Sequence, residues 1–225
     1  MSSRPRRSVA RSVALCLAAS AALALRPADA RADSDAQLWL EADVGHELTK
    51  TWSIAFEQHL RFDENLSRLA QVLPDLSVTA RLHRALRLIA GYRLQYVRNT
   101  VGDFELRHRL YGGGQAKLDH GALRLTARAL FTEQIRPSSK NEFRLGLRTR
   151  ATAEWRKARW KPRLSTELFY DLDATSALDK VRIGLSVARE LGSVELSLGY
   201  LVEVPVQDTT EPTLHVLTLG SAFEL

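Results

Sequence analysis

The stretch Phe143-Arg144-Leu145-Gly146-Leu147-Arg148-Thr149-Arg150-Ala151-Thr152-Ala153-Glu154-Trp155 sorts into two faces at a period of two. Phe143, Leu145, Leu147, Ala151, Ala153 and Trp155 take the odd positions, and Arg144, Gly146, Arg148, Arg150, Thr152 and Glu154 the even ones. A helix would scatter these charges around its axis, whereas a strand places alternate residues on opposite faces. The run is also longer than the roughly five or six residues of an ordinary soluble strand.

Neighbouring stretches repeat the pattern. From Phe104 to Leu118, Phe104, Leu106, Leu110, Ala116 and Leu118 oppose Glu105, Arg107, Arg109, Gln115 and Lys117, with His108 as a polar exception on the apolar face. Leu86, Leu88, Ala90, Tyr92, Leu94 and Tyr96 oppose Arg87, Arg93 and Gln95; Val194, Leu196, Leu198, Tyr200, Val202 and Val204 oppose Glu195, Ser197 and Glu203. Strands are predicted near 37–46, 51–62, 71–83, 86–98, 103–118, 121–136, 141–155, 160–173, 178–190, 193–205 and 213–225. Short turns near 48–50, 84–85, 119–121, 157–159 and 191–192 alternate with longer polar links near 63–70, 99–102, 137–140, 174–177 and 206–212. This is a meander of hairpins with no helix between strands. Gly112-Gly113-Gly114 lies inside an alternating strand, so a close-packed kink is a better reading than a phosphate loop.

Strand length and chemistry decide between all-β architectures. A tilted membrane strand needs about 9–11 residues, and its apolar face meets lipid while its polar face lines a lumen. The expectation is an antiparallel up-and-down transmembrane β-barrel of about 10–12 strands. The predicted strands number eleven, whereas bacterial single-chain barrels normally have an even number. Either one strand is missing from this reading, or 37–46 stays out of the wall. Trp52, Tyr96, Trp155, Trp160 and Tyr170 fall near strand ends, where amphipathic rings favour a membrane interface.

The N-terminus reads as an address. Arg4, Arg6, Arg7 and Arg11 precede the apolar stretch Val13 to Leu25, and Ala28-Asp29-Ala30 and Ala30-Arg31-Ala32 offer small residues for signal peptidase. Residues 1–30 are expected to be a cleaved secretory signal ending at 30 or 32, with 31–225 as the barrel domain. An apolar run of about 13 residues is short of the roughly 20 a spanning helix needs. Val9-Ala10 after Arg6-Arg7 is a poor twin-arginine continuation, which favours the general secretory route. The single cysteine, Cys16, lies in the leader behind a large Leu15, so neither a lipid anchor nor a disulfide is expected.

The leader also distorts the charge. It holds five Arg and one Asp of the chain's 32 basic and 26 acidic residues, leaving 27 and 25. That near balance removes the main support for nucleic-acid binding. The ending Leu219-Gly220-Ser221-Ala222-Phe223-Glu224-Leu225 looks like the terminal strand read by the outer-membrane barrel assembly machinery, with Leu225 in place of the usual Phe. The expected location is the outer membrane, and the expected partners are its lipid and that machinery.

The chain after the leader resembles, over almost its whole length, the DUF2490 family of uncharacterised bacterial outer-membrane proteins. The resemblance rests on Leu38-Trp39-Leu40, Trp52-Ser53-Ile54, Glu57-Gln58-His59-Leu60-Arg61-Phe62, Gly91-Tyr92-Arg93-Leu94-Gln95-Tyr96, Arg107-His108-Arg109-Leu110-Tyr111, Phe143 to Arg148, Glu167-Leu168-Phe169-Tyr170 and Val181-Arg182-Ile183-Gly184-Leu185, in this order. It implies a barrel and a location, and it assigns no activity and no functional residue.

The chemistry of sites is sparse. His46, His59, His83, His108, His120 and His215 show no tight metal-ligand spacing, and no Gly-x-Ser-x-Gly or Gly-Lys-Ser/Thr motif occurs. No catalytic residue, cofactor or metal is expected, and the chain is read as a non-enzyme. A barrel-wall enzyme acting on envelope lipid could combine Ser165 or Ser186 with His59 or His108, although no spacing in the sequence supports it. A surface-interaction scaffold is a further alternative.

The strongest chemical feature is a ladder of charges on the expected inner face. Arg61, Arg87, Arg93, Arg107, Arg109, Arg144, Arg148, Arg150 and Arg182, with Glu57, Glu105 and Glu167, are the candidate lumen-lining residues. Arg124, Arg128, Arg163, Glu142, Glu154, Asp171, Glu195 and Glu203 share that face. Two readings stand: a pore lining with weak preference for small anionic solutes, or a salt-bridged interior of a structural barrel.

Overall fold

The computed structural model describes residues 35–99, 101–137, 142–173, 177–207 and 211–225. The leader expected at 1–30, with Cys16 and both cleavage positions, lies outside the described residues. Eleven strands run in chain order: β1 (Asp35–Glu47), β2 (Trp52–Asp63), β3 (Arg68–His83), β4 (Leu86–Arg98), β5 (Phe104–His120), β6 (Leu123–Arg136), β7 (Glu142–Trp155), β8 (Lys161–Asp171), β9 (Ala177–Leu191), β10 (Val194–Pro205) and β11 (Leu214–Glu224). They are 11 to 17 residues long, and no helix occurs among the described residues.

Each strand pairs antiparallel with the next, and the sheet closes into a barrel by joining β11 to β1. An up-and-down path with an odd number of strands leaves its first and last strands pointing the same way. The closing ladder is therefore parallel, from Asp35↔Leu214 to Gly45↔Glu224, and the backbone N–H of Leu225 extends it by donating to Gly45 O at 2.9 Å. The expectation of an even count is corrected here. No strand is missing among the described residues, and 35–47 sits in the wall, bonded to β11 on one edge and β2 on the other. The parallel junction removes the last free edges. It also puts the start of β1 at the rim of the longer links and the end of β11 at the rim of the short turns.

The two faces of the wall are chemically opposite. Outward side chains are mostly apolar and exposed, with His108, His215 and Ser221 as polar exceptions: Phe131 is 59 % and Leu185 61 % accessible. Phe56, Leu76, Leu88, Leu110, Leu164, Leu198 and Leu219 continue the apolar surface around the barrel. Trp52, Trp155 and Trp160 are exposed at the short-turn rim and Tyr96 near the other. Inward side chains are largely polar and packed, with Asp75, Arg93, Glu167 and Glu203 all buried beside the apolar Trp39, Leu73, Leu130 and Val216. Buried charges persist only where they are paired and hydrogen-bonded, so the interior must supply its own partners.

Two glycines make room for this interior. On β4, the place of a Cβ on Gly91 is taken by the Tyr111 ring from the partner position on β5. On β5, a Cβ on Gly113 would run into the backbone of Ala129 and Leu130, which is the close strand approach expected of Gly112–Gly114.

Candidate functional site: the barrel lumen

The interior is built from strands that each present alternate residues to a shared space. Around Trp39 the packing is tight. Trp39 faces inward from β1 and is buried. The Arg61 guanidinium lies 3.8 Å from its ring centroid and that of Arg182 4.8 Å. Arg182 also lies 4.5 Å, and Arg148 5.2 Å, from the Phe169 ring. Desolvated cation–π contacts of this kind contribute up to about 2 kcal/mol each. Two buried carboxylates complete the group. Glu167 accepts Arg148 Nε at 2.6 Å on one oxygen and Arg182 Nη1 at 3.5 Å on the other. Glu203 accepts Arg182 Nε and, at 3.3 Å, Lys180.

A second network crosses β2 to β5. Asp75 accepts Arg93 Nε at 2.5 Å and the Tyr111 hydroxyl at 2.6 Å. His59 lies 3.1 Å from Glu57 and 3.4 Å from Glu41, and Arg93 reaches Glu57 at 3.9 Å. Towards the short-turn rim, Arg163 bridges Glu154 at 2.5 Å and Glu195 at 2.8 Å, and Lys161 pairs with Glu190. Towards the other rim, Glu105 holds Arg107 and Arg136, both at 3.1 Å.

Between these networks lies a cavity of about 480 Å³. Its lining includes eight arginines, Arg61, Arg93, Arg109, Arg128, Arg148, Arg150, Arg163 and Arg182, against four carboxylates, Glu41, Asp43, Glu57 and Glu167. The charges are segregated. Glu41, Asp43 and Glu57 project from β1 and β2, whereas Arg109, Arg128, Arg148 and Arg150 project from β5 to β7. Arg109 donates to Gln134 at 2.6 Å. Among the described residues Arg109, Arg128 and Arg150 have no ion pair, although Arg150 is exposed to the lumen.

The twelve candidate lumen residues therefore divide. Arg61, Arg93, Arg109, Arg148, Arg150, Arg182, Glu57 and Glu167 line the cavity. Arg107, Arg144 and Glu105 lie towards the long-link rim, where Arg107 and Arg144 share a smaller pocket with Arg136 and Glu142. Arg87 lies towards the opposite rim beside Arg81 and Glu47. Of the possible serine–histidine pairings, those with His108 are split by the wall, whereas His59 lines the same cavity as Ser165 and Ser186. Ser165 and Ser186 line the lumen, but His108 faces outward, 2.6 Å from the Tyr92 hydroxyl. The Ser165 hydroxyl donates to Gly184 O at 3.5 Å, and the His59 ring is held by Glu57 and Glu41. No group of three His, Cys, Asp or Glu able to hold a metal ion occurs among the described residues.

Several interior residues escaped the sequence reading. Tyr111 continues the odd-numbered polar face of β5, and Trp39 stands between Gln37 and Glu41 at period two, so alternation could have found both. Asp75 could not be placed that way, because Val72-Leu73 puts apolar residues on both faces of β3.

The family model described as "Protein of unknown function (DUF2490)" matches residues 36–211. The chain belongs to the DUF2490 family. The match spans β1 to β10 of the DUF2490 barrel and stops before β11. It includes Trp39, Asp75, Arg93, Tyr111, Arg148 and Glu167, so both packed interior networks fall within the family region. No curated protein matches the chain.

Proposed function

We propose that this DUF2490 protein is an integral outer-membrane β-barrel whose lumen admits small anionic solutes with weak selectivity, and that it is not an enzyme. The observation that carries the reading is the inside-out distribution of chemistry. Exposed Leu, Phe and Trp cover the outside, and arginines outnumber carboxylates eight to four around the inner cavity. Lipid is the solvent that such an exterior fits. The proposed partners are outer-membrane lipid and the assembly machinery, with β11 as the strand presented for insertion.

The ion pairs between the walls temper the field, so selectivity is expected to be modest. Planar bilayers holding the refolded barrel should show small single-channel currents and a reversal potential displaced towards the anion side in a salt gradient. Silent bilayers with verified folded protein would remove the conducting role. A second reading, a closed structural barrel, is favoured by one feature, the packed Trp39–Arg182–Phe169 group with its buried Glu167 and Glu203.

A further inference from the structure

We propose that the lumen contains a binding site for a phosphate-class dianion, held between Arg128 on β6 and Arg150 on β7. The inference deepens the anion-admitting reading and rests on it by naming the solute chemistry. Arg128 and Arg150 are direct partners in the β6–β7 ladder and both line the cavity. Like charges placed directly opposite one another on a sheet face destabilise it. Most other arginines here have a carboxylate: Arg93 has Asp75, Arg148 has Glu167, Arg163 has Glu154 and Arg182 has Glu203. Arg61 instead stacks on Trp39 and donates to Gln71.

No direct ion pair neutralises Arg128 or Arg150 among the described residues; Glu57 and Glu167 act on Arg128, and Glu41 and Glu167 on Arg150, only through space. Glu167 faces Arg150 across the β7–β8 ladder, but its two oxygens are taken by Arg148 and Arg182. Glu41 and Glu57 stand on the opposite wall with His59 between them. Next on the basic wall is Arg109, which donates to Gln134 but has no ion pair, and whose buried Nε has no partner among the described residues. Arg148 lies within electrostatic reach of both Arg109 and Arg128, so the positive region is continuous. Arg150 is open to the lumen, which gives a guest its access.

Two guanidinium forks suit a tetrahedral dianion, because each can donate two parallel N–H bonds to its oxygens. Chloride offers one charge and no matching geometry. The phosphoryl oxygens could belong to free phosphate or to a phosphorylated small solute.

The test titrates the folded, detergent-solubilised full barrel with inorganic phosphate and with glycerol 3-phosphate at constant ionic strength in chloride. Heat of binding and the temperature at which the compact gel band is lost are both read. Saturable binding is expected, with the tighter ligand naming the source. Arg128→Gln and Arg150→Gln should each weaken binding at least tenfold, and Arg124→Gln, at a rim pair with Asp119, should leave it unchanged. Without ligand, Arg128→Gln should keep or raise the unfolding temperature, because it removes a like-charge opposition. The site is overturned if the folded wild type binds neither ligand saturably, or if binding ignores both substitutions. A ligand-free loss of stability in Arg128→Gln would also overturn it, by making the pair a structural element. Binding in detergent with silent bilayers would remove conduction alone; conduction without binding would remove the site alone.

Discussion

The Tyr111 hydroxyl on β5 donates to the Asp75 carboxylate on β3 at 2.6 Å, with its ring lying across Gly91 of the intervening β4. The bond ties three strands through one buried carboxylate that also holds Arg93 at 2.5 Å. Asp75→Ala leaves the Arg93 guanidinium buried without its main partner, at an expected cost of about 3–5 kcal/mol. Tyr111→Phe removes one hydrogen bond to a charged group and should cost about 1.5–3 kcal/mol. Urea unfolding of the detergent-solubilised barrel checks the order. Equal costs would mean that Arg93 finds another carboxylate, with Glu57 at 3.9 Å as the nearest.

Gly113 and Gly45 give contrasting outcomes for the same added methyl group. A Cβ on Gly113 meets the fixed backbone of Ala129 and Leu130, whereas one on Gly45 meets nothing closer than Phe223 O at 3.9 Å. Gly113→Ala should destabilise by about 1–3 kcal/mol through overpacking. Gly45→Ala should be close to neutral. Thermal loss of the compact gel band separates the two.

The faces of the wall can be separated by two substitutions of opposite sense. Leu185 is 61 % exposed in the middle of β9. Leu185→Arg should cost about 2–4 kcal/mol if the bilayer midplane covers it. Arg150→Leu, on the lumen side and without a carboxylate, should change stability by no more than about 0.5 kcal/mol, as for a solvated surface residue. Unfolding in lipid vesicles gives both values, and a harmless Leu185→Arg would place that face in water.

The parallel seam is open to a covalent test. Ala42 and Ser221 are register partners on β1 and β11 and both face outward. With no cysteine after Cys16, Ala42→Cys combined with Ser221→Cys should form a disulfide on mild oxidation, seen as altered mobility on a non-reducing gel. Ala42→Cys combined with Leu217→Cys, four residues out of register, should not. The reverse result would break the parallel closure.

Period-two alternation made all eleven strands legible, because each wall segment turns a mostly apolar face outward and a largely polar face inward. The same rule placed Arg148, Arg150 and Glu167 inside before any contact was known. Closure was not legible. Which edge β1 joins depends on pairing between residues nearly the whole chain apart, such as Gly45 and Glu224, and local periodicity carries no such information. Nor could alternation say which charges pair. Arg148 and Arg150 share one face of one strand, yet Arg148 pairs with Glu167 and lies over Phe169, whereas Arg150, the register partner of Glu167, makes no ion pair among the described residues.

The central claim is that lipid is the outer solvent of this barrel. It is tested most directly by fractionating cells that express the full chain and treating the membranes with urea or carbonate. The expected result is recovery with the outer membrane after extraction, in a band that migrates differently on a denaturing gel before and after boiling. Recovery as a soluble periplasmic protein, with one mobility under both conditions, would contradict it.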